Sequence, residues 1–589
     1  MADFETKAVP GDAEDTTLEQ MGYHQVITKS NQSSFDPSMP IVSIGRDFVR
    51  DPDLFGSLNE NRLLKGPLFD PCFILRCCTT VETCTLTCYA ELKREFSLLG
   101  MIGFSFSIVT CWSALGGVLV TGVNAGGPPV MIWGWIGISC VSLCVAYSMA
   151  EMCSEYPVAG GQYSWVYILA PKSIRRQLSY LTGWFMIIGI LAMGATNSFI
   201  AANFILGQAN LVNPGYEIQR WHTVLVAYCI TLFATFVNMW GSKVLEKISK
   251  GALIFNIVSF LAIVVTILAC NDHKQSASFV FRDFQNFTGF SASMAGIIGI
   301  LQPAFGMCCY DAPAHMCEEL KDASKQAPRA IVFSVYIGAL TGFVFLIAVC
   351  FCIGDITAVA NTPTQVPLIQ IFFDSTKSNV GSCILATLIV IIDLGCANAL
   401  LAEGARSLYA FSRDHGLPFS SLISRVESKH QTPVVAIILG TVVQMAFNSI
   451  YFGTVTGFNT VIAIATQGFY LSYAMPLLVR LISYFSGTHR QLTGPWAMKP
   501  MVSVTVNFIG LTYLLFACIT FNFPSEYPVT SENMNYTSAA VGVIMLVAAI
   551  TWFTAAKKRF SGPEIEGVIN IVAGHHGSDS DEVKRPEKE

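Results

Sequence analysis

Residues Ile297–Leu320 read IIGILQPAFGMCCYDAPAHMCEEL. Up to Phe305 the stretch has the composition of a membrane helix; Gly306, Cys308, Cys309, Asp311 and Pro313 then follow in quick succession, ahead of Glu318 and Glu319. A uniform membrane helix is not written this way. A helix that runs into the bilayer, unwinds and resumes needs Gly or Pro at the break. It also needs a cavity there, because free backbone groups cannot face lipid. Broken helices of this kind hold substrates in secondary transporters. A Pro-kinked structural helix with Asp311 near its end is the competing reading of the same letters.

Composition sets the class. The 589 residues are 52% hydrophobic and 13% charged, with a mean hydropathy of +0.52, which excludes a soluble multidomain protein and indicates a polytopic membrane chain. The net charge is −5 and the cations gather in short loops, so nucleic acid is not an expected partner. Of the 19 Cys, many lie inside apolar runs (Cys140, Cys144, Cys350, Cys352, Cys383, Cys396), where they behave as small hydrophobes. Neither a disulfide framework, a metal site nor a cofactor is expected from them. The first twenty residues are polar and acidic, so no cleavable signal peptide is expected and the first apolar span serves as the insertion signal.

Residues 1–95 read as a hydrophilic, largely disordered cytoplasmic tail. Within it Cys72, Cys77, Cys78, Cys84 and Cys88 cluster without zinc-like spacing or a neighbouring His, and 49–88 has the character of an insert or translated intron. Apolar runs long enough to cross about 30 Å of hydrocarbon follow near 99–122, 129–152, 178–207, 221–240, 251–270, 291–315, 330–354, 380–411, 433–452, 456–480, 502–522 and 537–556, which makes twelve. The transporter domain is therefore expected over 96–560, followed by a cytoplasmic tail at 561–589.

Loop cations orient the spans. The loops after even-numbered helices hold Lys172, Arg175 and Arg176; Lys243, Lys247 and Lys250; Lys321, Lys325 and Arg329; Arg413, Arg425 and Lys429; and Arg480, Arg490 and Lys499. The opposite loops hold only Arg220, Lys274, Arg282 and Lys377. The excess predicts both termini in the cytoplasm. It also makes external the loops carrying two glycosylation sequons, at Asn286 and Asn535, whereas Asn31 falls inside.

Helix one carries Thr110, Cys111, Trp112, Ser113, Ala114, Leu115, Gly116 and Gly117 in its middle, small or polar residues where leucines would serve a plain span. Small residues in membrane helices also serve close packing. Helices one and six are five apart, as expected if helices one to five and six to ten are inverted repeats whose first members are both broken.

Four stretches carry a resemblance to a known family. They are ELKREFSLLGMIGFSFSIVTCWSALGG leading into helix one, AEMCSEYPVAGGQYSW (Ala150–Trp165), YDAPAHMCEELKDASKQAPRAI (Tyr310–Ile331) and EGARSLYAFSRDHGLP (Glu403–Pro418). The sequence resembles the amino acid, polyamine and organocation transporter superfamily, and within it the fungal permeases for gamma-aminobutyrate (GABA) and choline. The resemblance covers about residues 91–560. It implies an all-α, LeuT-like five-plus-five inverted-repeat fold with two extra C-terminal helices, and a midplane site between helices one, three, six, eight and ten. It also implies proton symport in the plasma membrane.

Physical chemistry agrees with that placement. Free amides of Ser113 to Gly117, beside Thr110 and Trp112, would receive a substrate carboxylate. Carbonyls of Gly306, Met307, Cys308 and Cys309 would face a substrate amine. Phe305 matches the family's aromatic gate, or is one lipid-facing Phe among 41. Asp311, beside Tyr310, reads as a counter-ion for the substrate's cationic end, as a proton carrier, or as an N-cap for the resumed helix. Asp393, deep in helix eight, reads as a coupling or substrate-contacting carboxylate, and Asn256 is a polar residue inside helix five, where proton-driven relatives often carry a Lys. Glu151, Glu318, Glu319, Glu403 and Arg406 lie near the cytoplasmic ends, where salt bridges would hold the inward gate shut. His315, beside a helix end, reads as a satisfied structural group or as a titrating one.

These expectations describe a transporter of a small amine-bearing solute, GABA or a similar amino acid first, with choline or a polyamine as the alternative on the same fold. Choline has no carboxylate and would depend on the faces of Trp112, Phe305 and Tyr310. A membrane-embedded enzyme would need clustered acid–base or metal groups near the interface, and the spans show no such motif. A nutrient sensor on the same fold would bind without translocating.

Overall fold

The computed structural model describes residues 97–563, apart from 240–241, 428–431, 454–455, 488–490 and 532. The expected N-terminal tail with its Cys-rich 49–88 segment and Asn31, and the tail beyond 563, lie outside the described residues.

Twelve apolar segments cross the fold. Eleven are long and apolar enough to span a membrane, among the described residues, and the twelfth is the interrupted helix containing Ala292–Gly306. Helix one is built in three pieces, Leu98–Val109, Cys111–Gly117 and Leu119–Asn124, and Ser97 caps it by accepting the Gly100 amide at 3.2 Å. Helices two to five are Gly127–Glu155, Arg175–Val212, Arg220–Asn238 and Ser242–Cys270. Helix six comprises Ala292–Gly299 and Leu301–Gly306, a non-helical stretch, the single turn Ala312–His315 and a 3-10 turn, Cys317–Glu319. Helices seven to twelve are Ala323–Cys352, Asn379–Arg413, Val434–Ser449, Thr456–Phe485, Pro500–Thr520 and Thr537–Thr551. With the first member of each five-helix half broken and two helices appended, this is the five-plus-five inverted-repeat architecture.

The breaks position everything else. In helix one the ladder fails at Thr110 (φ 11°, ψ 48°), upstream of the glycine pair. In helix six it fails after Gly306, and Cys309 takes φ +63°, a left-handed conformation that costs a non-glycine residue about 1–3 kcal/mol. The sequence reading placed a break after Phe305 within an apolar run ending at 315; less than two turns of regular helix follow that break. Helix five starts at Ser242 rather than near 251, so Lys250 lies about two turns inside it.

Helices three, eight and ten form the interior around helices one and six. Helices three and ten meet backbone to backbone: a Cβ on Gly468 would lie 2.6 Å from the Gly189 Cα, and one on Gly189 would lie 2.7 Å from the Phe469 nitrogen. Such glycine seams let membrane helices approach closely. Helices four, five, nine, eleven and twelve turn residues such as Phe236, Ile254, Val442, Ile519 and Leu546 outward, as lipid-facing helices must.

The two faces of the bundle differ. On one, Ala125–Gly126 pairs antiparallel with Gln285–Asn286, and the Tyr527 amide donates to the Thr288 carbonyl at 2.7 Å, joining the loops that carry the sequons. On the other, the Arg176 guanidinium donates to the Phe560 and Lys557 carbonyls, fastening the end of helix twelve to the start of helix three. We refer to these as the sequon face and the terminal face.

The seam generates a stability prediction. Gly468→Ala is expected to lower the melting temperature of the detergent-purified protein by several degrees, whereas Gly137→Ala, where an added Cβ meets nothing within 4 Å, should leave it unchanged. Equal melting of both variants would contradict the backbone-to-backbone contact.

Candidate functional site

Between the two breaks lies a cavity of ≈ 20 Å³, room for about one water. Helix one contributes Thr110 and Ala114, helix three Asn197, helix six Phe305, Cys308 and Cys309, and helix eight Asp393 and Cys396. The Asn197 side chain donates to the Asp393 carbonyl at 2.8 Å and so fixes helix three to helix eight at this level. The Asp393 carboxyl itself is 2% exposed, and its Oδ2 has no hydrogen-bond partner among the described residues. A buried carboxyl oxygen left open on a cavity wall is a site for a cationic group, because only a partner offsets its desolvation.

Of the residues singled out in the sequence, Thr110, Ala114, Phe305, Cys308, Cys309 and Asp393 meet on this cavity. The others turn elsewhere. Trp112 donates its indole N–H to the Asn256 side chain at 2.7 Å and packs against Phe260 and Phe345, so Trp112 and Asn256 together tie helix one to helix five. Gly116 and Gly117 give room to Leu368 and Ile200, and Gly306 to Leu115 and Trp135. These glycines serve packing. Met307 meets the Cys111 sulfur at 4.0 Å, and Tyr310 stacks near Tyr473 at 5.3 Å between ring centres. The expectation of free amides from Ser113 to Gly117 is corrected: the Ser113 and Ala114 amides both donate to the Thr110 carbonyl at 3.0 Å. The helix restarts at Cys111, one residue past the break.

Asp311 is buried beside the cavity rather than on its wall, and its side chain makes no N-cap hydrogen bond. Its Oδ1 accepts from the Tyr473 hydroxyl at 2.5 Å, and its Oδ2 accepts from Gln162 Nε2 at 2.6 Å and faces His315 Nε2 at 3.1 Å. Toward the terminal face, three carboxylates are taken by arginines. Glu319 pairs with Arg406, Glu318 with Arg413 at 3.0 Å, and Glu151 with Arg480 at 2.8 Å. The first two join the end of helix six to helix eight, and the third joins helix two to helix ten. Glu151 also accepts from Ser503 at 2.8 Å and from the Met498 amide at 3.1 Å.

Sequence reasoning missed Asn197, Gln162 and Tyr473, and counted Arg413 and Arg480 only as loop cations. Asn197 was legible as an amide inside the small-residue run Gly194-Ala195-Thr196 of helix three; nothing in the local sequence points Gln162 or Tyr473 at Asp311. The sequon residues sit on one face. Asn286 is exposed and donates to the Phe290 carbonyl at 2.7 Å, while Asn535 is half-buried and donates to the Phe521 and Phe523 carbonyls.

Breaking a buried ion pair is measurable. Glu319→Gln leaves Arg406 buried without its counter-charge and is expected to cost about 3–5 kcal/mol, seen as a lower melting temperature. The double variant Glu319→Gln/Arg406→Gln should recover part of that loss. Strictly additive losses would show that the two residues do not act as a unit.

The comparisons with known proteins agree with this geometry. A family model described as amino acid permease matches residues 96–549. An amino acid/polyamine transporter described from Macrophomina phaseolina is 64% identical over 441 residues, covering 75% of this chain and 97% of that protein. The choline transporter of Saccharomyces cerevisiae is 31% identical over 477 residues, covering 80% and 84%. The amino-acid permease BAT1 of Arabidopsis thaliana is 28% identical over 498 residues, covering 82% and 95%. The chain is a multi-pass membrane transporter that belongs to the amino acid permease family.

Proposed function

We propose that this protein is a secondary active transporter of a small amine-bearing amino acid, GABA first, driven by protons and working by alternating access. The observation that carries the reading is the open carboxyl oxygen of Asp393 on a cavity between two interrupted helices. In this scheme the substrate ammonium pairs with Asp393, with Thr110 and Asn197 beside it. The carboxylate lies toward the first amides of the resumed helix one. Phe305 covers the site, and the cavity, now room for about one water, opens to admit the substrate as helices one and six move. The ion pairs of the terminal face then hold that side shut until the substrate is bound. The terminal face is cytoplasmic in this reading, with both termini inside and the sequon face outside, in the plasma membrane.

Choline is the second reading, favoured by the resemblance to a choline transporter. Against it stands the placement of the aromatic rings. Trp112 and Tyr310 are buried away from the cavity, which leaves Phe305 alone to meet a quaternary ammonium, and such an ion offers Asp393 no hydrogen to accept.

Uptake of labelled GABA into proteoliposomes with an inward proton gradient and unlabelled choline as competitor tests the proposal. Uptake that collapses with the gradient and ignores choline is expected; labelled choline accumulating in place of GABA would overturn it. Asp393→Asn removes a charge-assisted contact worth about 1.5–3 kcal/mol, so the half-saturating GABA concentration is expected to rise roughly tenfold to a hundredfold. An unchanged value would remove Asp393 from the site.

A further inference from the structure

Helix eight carries a second buried carboxyl group that neither the cavity nor the ion pairs use. Glu403 is wholly buried, and among the described residues neither of its carboxyl oxygens has a hydrogen-bond partner. It lies on the stripe of helix eight that lines the cavity, since Asp393, Cys396 and Leu400 face the cavity and 403 continues the same helical spacing. One turn further toward the terminal face, Arg406 pairs with Glu319. Glu403 therefore sits between the cavity and the closed end.

What it faces is equally specific. A carboxyl oxygen of Glu403, one of Asp311 and a ring nitrogen of His315 all lie within 4.8 Å of one another, and all three residues are buried. Cys308 and Cys309 of helix six, Cys396 of helix eight and Tyr473 of helix ten are other titratable groups against this cluster, with Tyr310 beside Tyr473. Arg406, the nearest cation on Glu403's own helix, is held by Glu319. His315 Nδ1 lies 3.1 Å from the Ala159 carbonyl, which can only accept, so that nitrogen bears hydrogen; its Nε2 faces Asp311. Asp311 already accepts from Tyr473 and Gln162 and faces His315, so both of its oxygens have partners. Nothing is left over to neutralise Glu403. A buried carboxyl group this close to a second one, with no hydrogen-bond donor aimed at it among the described residues, is a place for a proton.

We propose that Glu403, held against the Asp311–His315 pair, is the binding site of the co-transported proton. This rests on the proton-coupled reading above and gives the proton a place separate from the substrate's. A proton from the sequon side adds to a Glu403 carboxylate oxygen and removes that group's charge, which permits the cluster to close. Movement of helix six against helix eight separates Asp311 and His315 from Glu403, water reaches the carboxylic acid, and the same proton leaves to the terminal side. The cluster spans the parts that must move: Asp311 and His315 on helix six, Glu403 on helix eight, Tyr473 on helix ten, and Gln162 after helix two.

The test uses full-length protein in proteoliposomes loaded with a pH-sensitive dye, with GABA added outside. Wild type is expected to bring protons in with GABA. Glu403→Gln, which mimics the protonated acid, should cut GABA-linked proton influx at least tenfold while downhill GABA influx remains measurable. Proton influx per GABA equal to wild type would overturn the assignment of Glu403 alone, whereas a wild type that takes up GABA without protons would overturn the proton-coupled reading and this inference with it. Should Glu403→Gln fail to reach the purified state, Glu403→Asp keeps an acid at the position on a shorter arm. Its proton influx is expected to persist with a displaced pH midpoint, and an unchanged midpoint contradicts the proposal.

Discussion

Backbone amides and carbonyls released from a helix inside hydrocarbon have no water to turn to, and each one left unsatisfied costs several kcal/mol. Helices one and six both release such groups, at Thr110 and over Met307–Asp311. The fold answers by placing both breaks against helices three and eight, inside the bundle rather than at its lipid surface. The cavity follows from that requirement. Its wall mixes apolar side chains such as Ile108, Met193, Ile200, Phe305 and Leu400 with the polar Thr110, Asn197 and Asp393.

The same economy governs charge. Glu318, Glu319 and Glu151 are each matched by an arginine on another helix, and Asp311 is surrounded by three donors. Buried charges handled this way hold geometry. Asp393 and Glu403 are treated differently: both lie on the cavity stripe of helix eight with carboxyl oxygens left open. These six acidic side chains thus divide into those that fasten helices together and those whose carboxyl oxygens are left open. Ten positions separate Asp393 from Glu403, about 15 Å along the helix, which in the proposed scheme gives substrate and proton different places on one element.

Much of this was legible in the sequence. Twelve spans could be read from apolar runs, and the break in helix six from Gly306 to Pro313, because an interruption of hydrophobic text has few physical causes. The break in helix one was read across Thr110–Gly117, with free amides from Ser113 onward, since a glycine that frees the backbone and one that admits a neighbour look alike. Gly116 and Gly117 admit Leu368 and Ile200, and the ladder fails at Thr110, which carries no such mark. Side-chain direction was the other obstacle. Whether Trp112 points into the cavity or to Asn256, and whether Asp311 meets substrate or Tyr473, depends on the rotation of helices set by contacts more than a hundred residues away. Period and composition carry no record of that rotation. They did identify the residue types: Asp393, Glu319 and Arg406 were found as charges out of place before their partners were known.

The central claim is that the substrate amine is held by Asp393, between the breaks. A cryo-electron microscopy map of the protein with bound GABA tests it most directly. The account predicts the amine within hydrogen-bonding distance of the Asp393 carboxyl, with Asp311 still held by Tyr473 and Gln162. Density for the amine against Asp311, with the Tyr473 and Gln162 contacts broken, would contradict it.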